Sequence, residues 1–363
     1  MAEITRLAKQ VVRGLPYLQK ELARRASIQT GRALTTPMTY YVIFSGRCNL
    51  ACTFCTIYTQ KEPTLSGDTM ARLVREAKAL SKSGFNISLS GGEPTIYKPL
   101  PDTLRLAQEL GVNFGFTTNG LALTPDNVRR LIQFDPFNIN VSLESVEPTV
   151  NESLRPIHDG TRRTLRGIEN VLTEKARCGS RVSVIVKPTI MDQNYRTLPA
   201  LVRHFGRDTQ VQINLQPFVG PAGDPHWVKD RQALAAVLDE LAALQRDGYP
   251  VMGGARAIEG FKEYFNNPPQ QGFLRHLDLQ GQPRNCDIGL RSMFIYPNGD
   301  VHFCDFLGKA IGNIHQHSLS EIYFGELANR QRRHMVGCEI DCQQTCKRPV
   351  SFLTKAQSFL RMG

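Results

Sequence analysis

SGRCNLACTFCTI, residues 45–57, sets three cysteines within eight residues at C-x3-C-x2-C spacing, directly after the β-like run YYVIFSG at 40–46. Cys48, Cys52 and Cys55 cannot close a disulfide framework, and three thiolates leave a four-coordinate metal one ligand short. Either a distant side chain supplies the fourth bond or the open position is itself the purpose. A zinc site closed from elsewhere and a purely structural cluster satisfy the first option. An iron–sulfur cube with one iron left for an outside ligand satisfies the second.

Outward from this loop, strand-like runs alternate with helical patterns. Residues 68–83 place Leu73, Val74, Ala77 and Leu80 on one helical face, with Asp68 as the expected N-cap. NISLSGG (86–92), NFGFTTNG (113–120), FNINVSLE (137–144), RVSVIVKPTI (181–190) and VQINLQPF (211–218) read as further strands. Helical patterns near 101–111, 125–134, 162–177, 196–206 and 230–246 separate and follow them. Six strand–helix units with helix-length crossovers predict an α/β fold with a parallel sheet, open or rolled into a partial barrel. Such sheets carry their chemistry at the C-terminal ends of the strands. Ser45–Cys55, Ser90–Pro94, Thr117–Gly120, Ser142–Glu144, Lys187–Pro188 and Gln216–Pro217 all fall there.

Past residue 250 the alternation stops. Residues 250–285 are rich in Gly, Pro, Asn and Gln, with one short helix expected near 255–266. SMFIYPNGDVHFC (292–304) reads as a β-hairpin turning at Pro297-Asn298-Gly299. A helix near 318–334 then leads into CEIDCQQTC (338–346). The expected organisation is an arm at 1–37, a core at 38–250, a linker at 251–285, a small cysteine domain at 286–347 held by metal rather than by its own core, and a tail at 348–363.

Nine cysteines in a chain without a secretory signal argue for metal ligands in a reducing cytoplasm rather than for disulfides. No apolar run reaches the roughly 18 residues that span a bilayer. The net charge of +11 is concentrated at the ends: residues 1–32 carry seven Lys or Arg against Glu3 and Glu21, and the tail from Lys347 has no acid. Both ends are amphipathic, which suits peripheral contact with an anionic membrane and equally suits helices docked on the domain.

With its cysteine loop and its strand order the chain resembles the radical S-adenosylmethionine (radical SAM) family, whose hallmark is C-x3-C-x2-C after the first strand of a partial β/α barrel. The resemblance spans residues 38–220 and implies a partial (β/α)6 barrel. It implies that Cys48, Cys52 and Cys55 hold a 4Fe-4S cluster whose unique iron binds the amino and carboxylate groups of S-adenosylmethionine (SAM). One electron would then cleave SAM to methionine and a 5′-deoxyadenosyl radical, which abstracts a hydrogen atom from substrate; a reductant such as flavodoxin or ferredoxin supplies the electron. Phe54 matches the aromatic that lies beside the adenine. Gly91-Gly92-Glu93-Pro94 matches the GGEP motif at the methionine amino group, where close backbone and an anionic acceptor suit an ammonium. Ser142 and Glu144 match positions that bind the SAM ribose or carboxylate, although many relatives carry aspartate in place of Glu144. Arg155 suits a bidentate pair with the methionine carboxylate, or a surface role. Asn119 lines the same rim or serves as a turn residue.

Cys286 and Cys304 fall in C-x12-G-x4-C, followed by Cys338, Cys342 and Cys346. This resembles the SPASM or shorter Twitch extension of radical SAM proteins, which houses auxiliary 4Fe-4S clusters. A full extension has seven cysteines and two clusters; five imply one auxiliary cluster, with Cys286 and Cys304 as ligands and two of the last three completing it. Zinc is the rival metal, since spacing alone does not separate the two. Cys178 reads as a structural or idle thiol.

The leading expectation is therefore an enzyme acting on a peptide or small molecule, a radical SAM oxidoreductase or maturase. The same chemistry on a lipid-like substrate at a membrane is the alternative. A non-catalytic metal protein binding nucleic acid is disfavoured, because the basic residues lack an interleaved aromatic platform.

Overall fold

The computed structural model describes residues 32–220, 223–266, 287–304 and 309–336, with residues 19, 22–28 and 30 of the N-terminal arm. Six parallel strands form the core: β1 (Thr39–Ile43), β2 (Asn86–Ser90), β3 (Asn113–Thr118), β4 (Asn138–Val141), β5 (Ser183–Val186) and, after the short β6 (Thr189–Ile190), β7 (Val211–Ile213). They lie side by side in the order β1-β2-β3-β4-β5-β7, so each connection crosses over through a helix. This is the α/β arrangement of a partial barrel that the alternation predicts.

Side chains alternate between the two faces of each strand. On the helix-covered face Val42, Leu89, Phe116, Val141 and Val186 are fully buried and form the main core. The register carries the other, inner face through Tyr41, Ser88, Thr117, Asn140 and Ile185. Tyr41, Ser88, Ser90, Thr117 and Asn138 on that face are only half-buried. A sheet apolar on one side and polar on the other leaves the inner face open to a ligand.

The last two core strands are shorter than the sequence suggests. Each breaks and resumes: β6 pairs with β8 (Gln216–Pro217) as a separate parallel ladder, Thr189 opposite Gln216. Pro188 at the first break has no N–H to give to the ladder, and the freed amide of Thr189 is taken by a buried carboxylate described below.

The helices 67–81, 100–109, 125–132, 160–178, 198–205, 231–246 and 255–266 stand where the periodicity places them. The N-cap of the first is Ser66, which accepts from the Thr69 amide, rather than Asp68; Asp68 sits in the first turn, where its charge complements the helix dipole. A further helix, Pro148–Leu154, was hidden by its short length and polar composition.

The expected hairpin forms from β9 (Ser292–Ile295) and β10 (Asp300–His302), with Gly299 at a φ of +87° in the turn. It is not packed apart from the core. β9 pairs in parallel with β1, Thr39 opposite Ser292, and β10 pairs with β11 (Gly312–Asn313), so the main sheet simply continues. Met293, Ile295, Val301 and Phe303 belong to the same hydrophobic cluster as the barrel strands.

The helix expected near 318–334 is two, Leu319–Phe324 and Glu326–Val336, divided at Gly325. Arg332 ties the second to the hairpin. Its guanidinium lies 4.6 Å from the centre of the Phe303 ring and 4.2 Å from that of Tyr323. It donates to the carbonyls of Gly289 and Tyr323 and to Asn329 Oδ1. Arg332→Lys keeps the charge and loses the fork, which no ammonium reproduces. We expect a loss of about 2–3 kcal/mol, read as faster amide exchange in β10 and in 326–335.

Arg24 of the arm forms an ion pair with the buried Asp287, so this part of the arm is docked beside the hairpin. Arg25 and Arg32 of the expected basic face are exposed, and the remaining basic residues of 1–32 and those of 348–363 lie outside the described residues. Among the described residues, no helix is long and apolar enough to cross a membrane.

Candidate active site

β1 runs into the cysteine loop through Gly46, where a Cβ would stand 2.5 Å from the Gln60 carbonyl oxygen. The Cys55 amide donates to the Cys52 carbonyl at 3.1 Å, closing a turn between the second and third cysteines. Cys48, Cys55, Phe54 and Ile157 pack around a small apolar cluster of Leu50, Cys52 and Leu121. The three cysteines therefore border one patch. Burial pushes the Cys52 thiol up to about 11 against the pull of Arg155, and burial raises Cys48 as well. Such sulfurs become stable thiolates when a metal supplies the missing positive charge.

Gly91 and Gly92 lie flat against this loop. The Gly92 amide donates to the Ser45 carbonyl at 2.7 Å and the Glu93 amide to the Arg47 carbonyl at 3.0 Å. A Cβ on Gly92 would stand 1.8 Å from the Arg47 carbonyl oxygen, and Gly91 adopts a φ of +116°. Only glycine permits that approach.

Glu93 differs from expectation. Its carboxylate is turned inward and is 1% exposed. Oε1 accepts from the Thr95 amide and hydroxyl and from Thr118 Oγ1, and Oε2 from the Asn119 amide at 2.7 Å. With four donors already on it, the carboxylate braces the loop between β2 and β3 rather than facing a ligand. Asn119 extends the brace, donating from Nδ2 to Asn49 Oδ1 at 2.7 Å beside Cys48.

Glu144 and Arg155, expected as separate ligand contacts, hold each other. Arg155 donates Nε at 3.1 Å and Nη2 at 2.6 Å to Glu144 Oε1, while Oε2 accepts the Thr189 amide at 2.6 Å. Glu144 is fully buried, and nearby Glu144 and Cys52 raise the Arg155 pKa although burial opposes them. The remaining fork nitrogen, Nη1, lies 3.6 Å from Cys52 Sγ, and the guanidinium is 5.4 Å from the centre of the Phe54 ring. Arg155 thus delivers positive charge to the cysteine loop, held there by an acid on the same connection after β4. Ser142, half-buried at the end of β4, is tied through its amide to the Thr118 carbonyl.

Sequence reasoning missed Asp224 and His226. His226 Nε2 lies 3.0 Å from Thr53 Oγ1, and Nδ1 lies 2.9 Å from Asp224 Oδ1. The signal available was position: DPHW follows the end of the sixth core strand, where polar residues carry weight. Cys178 is exposed at a helix end. Cys304 is described and half-buried, whereas Cys286, Cys338, Cys342 and Cys346 lie outside the described residues.

Comparison with known proteins matches residues 42–205 to the radical SAM superfamily and residues 286–348 to SPASM, an iron–sulfur cluster-binding domain. The chain is 26% identical over 296 residues to the Fe-coproporphyrin III synthase of Methanosarcina barkeri, covering 76% of this chain and 71% of that protein. It is 26% identical over 310 residues to the mycofactocin maturase MftC of Mycobacterium tuberculosis, covering 80% and 69%. The fold matches Streptococcus suis SuiB with a TM-score of 0.63 at 19% identity, covering 87% of this chain and 72% of that one. It matches anSMEcpe with bound AdoMet with a TM-score of 0.62 at 14% identity, covering 83% and 84%. The chain carries a radical SAM domain at 42–205 and a SPASM iron–sulfur domain at 286–348, and it is an enzyme that uses a 4Fe-4S cluster and SAM.

Proposed function

We propose that this enzyme modifies a peptide, with Cys48, Cys52 and Cys55 as ligands of the SAM-binding cluster. The residue types fit that group: three cysteines bordering one apolar patch, a guanidinium beside one of them, and a glycine edge that admits no side chain. When bound, the cluster supplies the electron that cleaves SAM. The protein's part is orientation. The carbonyl edge at Gly91 and Gly92 takes the methionine ammonium, since the Glu93 carboxylate is spent on its own brace. Ser142 lies within reach of the ribose or carboxylate, and Phe54 flanks the adenine. Glu144 and Asn119 act from behind, through Arg155 and Asn49. Cys286 and Cys304, with two of Cys338, Cys342 and Cys346, hold the auxiliary cluster.

The mostly uncharged polar lining of the inner face carries the choice of substrate. Ser88, Ser90, Thr117, Asn138, Asn140 and Asn214 present hydroxyls and amides there, and Lys187 brings the ammonium at the end of β5. Carboxamides and hydroxyls pair with peptide amides, donor and acceptor alike. A porphyrin bearing several propionates, or a nucleoside triphosphate, calls for clustered cations. The resemblance to the mycofactocin maturase agrees with this reading, and that to the Fe-coproporphyrin III synthase supplies its rival. With anaerobically reconstituted protein, dithionite and SAM, a pool of unmodified peptides should raise 5′-deoxyadenosine formation and change in mass. Stimulation by coproporphyrin with no response to peptides would overturn the assignment.

A further inference from the structure

We infer that His226 is a positioning residue for the SAM site, acting through Thr53 on the segment between the second and third cysteines. Asp224 Oδ1 accepts the His226 amide at 2.8 Å and stands 2.9 Å from Nδ1 of the same residue. A carboxylate at Nδ1 keeps the ring hydrogen on that nitrogen and makes Nε2 the acceptor. Thr53 Oγ1, 3.0 Å from Nε2, is therefore the donor across this shorter contact, with the Leu154 carbonyl as a second, longer acceptor at 3.4 Å. From the other side the Thr53 amide donates to the Leu154 carbonyl at 3.0 Å, next to Arg155.

Thr53 is thus gripped by two elements far apart in the chain, and it lies between Cys52 and Phe54. The imidazole also packs against the rings it positions. Its centre is 6.2 Å from that of Phe54, edge to face at 69°, and 5.5 Å from that of Phe218. Phe218 directly follows β8, so the strand end bordering the inner face and the loop bearing the cysteines share one ring. His226 is 8% exposed with its acceptor nitrogen occupied, which suits a fixed strut rather than a base working on substrate.

This inference rests on the assignment of the cysteine loop as the SAM site, and the experiment separates the two. His226→Phe keeps the ring and removes the acceptor; His226→Gln keeps an acceptor amide; Thr53→Val removes the hydroxyl at nearly constant shape. In cluster-free protein, amide exchange at Thr53–Cys55 should be faster in His226→Phe while β1 is unchanged. In reconstituted protein, SAM titrated against the EPR signal of the reduced cluster should show dissociation constants raised five- to tenfold in His226→Phe and in Thr53→Val. Their combination should be no worse than Thr53→Val alone, because that change already removes the His226 bond along with the longer contact to the Leu154 carbonyl. His226→Gln should return to within about threefold of the parent. Parent-like SAM affinity in His226→Phe, or full additivity of the two changes, overturns the role of His226. No EPR response to SAM in the parent protein instead overturns the site assignment.

Discussion

Gly92→Ala should lower SAM-dependent 5′-deoxyadenosine formation by about 100-fold or more while leaving the barrel folded. The new methyl group would stand 1.8 Å from the Arg47 carbonyl oxygen and 2.5 Å from its carbonyl carbon. Both obstacles are backbone, one residue before Cys48, so no side-chain rotation relieves the clash. The two loops must separate by more than an ångström, breaking the hydrogen bonds from Gly92 to Ser45 and from Glu93 to Arg47. Misplacement on that scale costs about 100-fold in a site built on orientation. The measurements are the product assay and SAM binding to the reconstituted protein, with circular dichroism as the control for folding. Activity within tenfold of the parent would show that the cysteine loop does not need to lie against the glycine edge.

Glu144→Gln should destabilise the protein by about 3–5 kcal/mol, the usual cost of leaving a buried charge without its partner. Arg155 would keep its charge in a site 12% exposed, and the new amide would put a second donor against either Arg155 or the Thr189 amide. Arg155→Met alone leaves Glu144 buried with the Thr189 amide and should cost a similar amount. The double variant Glu144→Gln/Arg155→Met removes both charges and should recover much of the loss. Urea unfolding of the four proteins under anaerobic conditions checks this. Simple addition of the two single effects would mean that the pair is not coupled. Arg155→Met should also weaken SAM binding in the double variant, because Nη1 no longer faces Cys52.

Much of this was legible in the residues. The six strands, the helices between them and the clustering of polar residues at the strand ends follow from hydrophobic period and from Gly and Pro punctuation. The Cys48–Cys55 spacing and the Gly91-Gly92 pair announce themselves because a ligand loop and a side-chain-free edge each need contiguous residue types. The hairpin was legible as a hairpin. Its attachment to β1 was not, because parallel pairing between residues about 250 positions apart leaves no local mark.

Sequence by itself determined the three-cysteine loop and the alternating architecture that presents it, since both are written in neighbouring residues. Tertiary structure alone decided which acids are available. Glu93 is consumed by Thr95, Thr118 and Asn119, and Glu144 by Arg155 and Thr189, because hydrogen-bond partners of a buried carboxylate come from whatever strands the fold brings alongside. The same holds for His226, whose ring meets Thr53 across 173 residues of chain only when the barrel curls round.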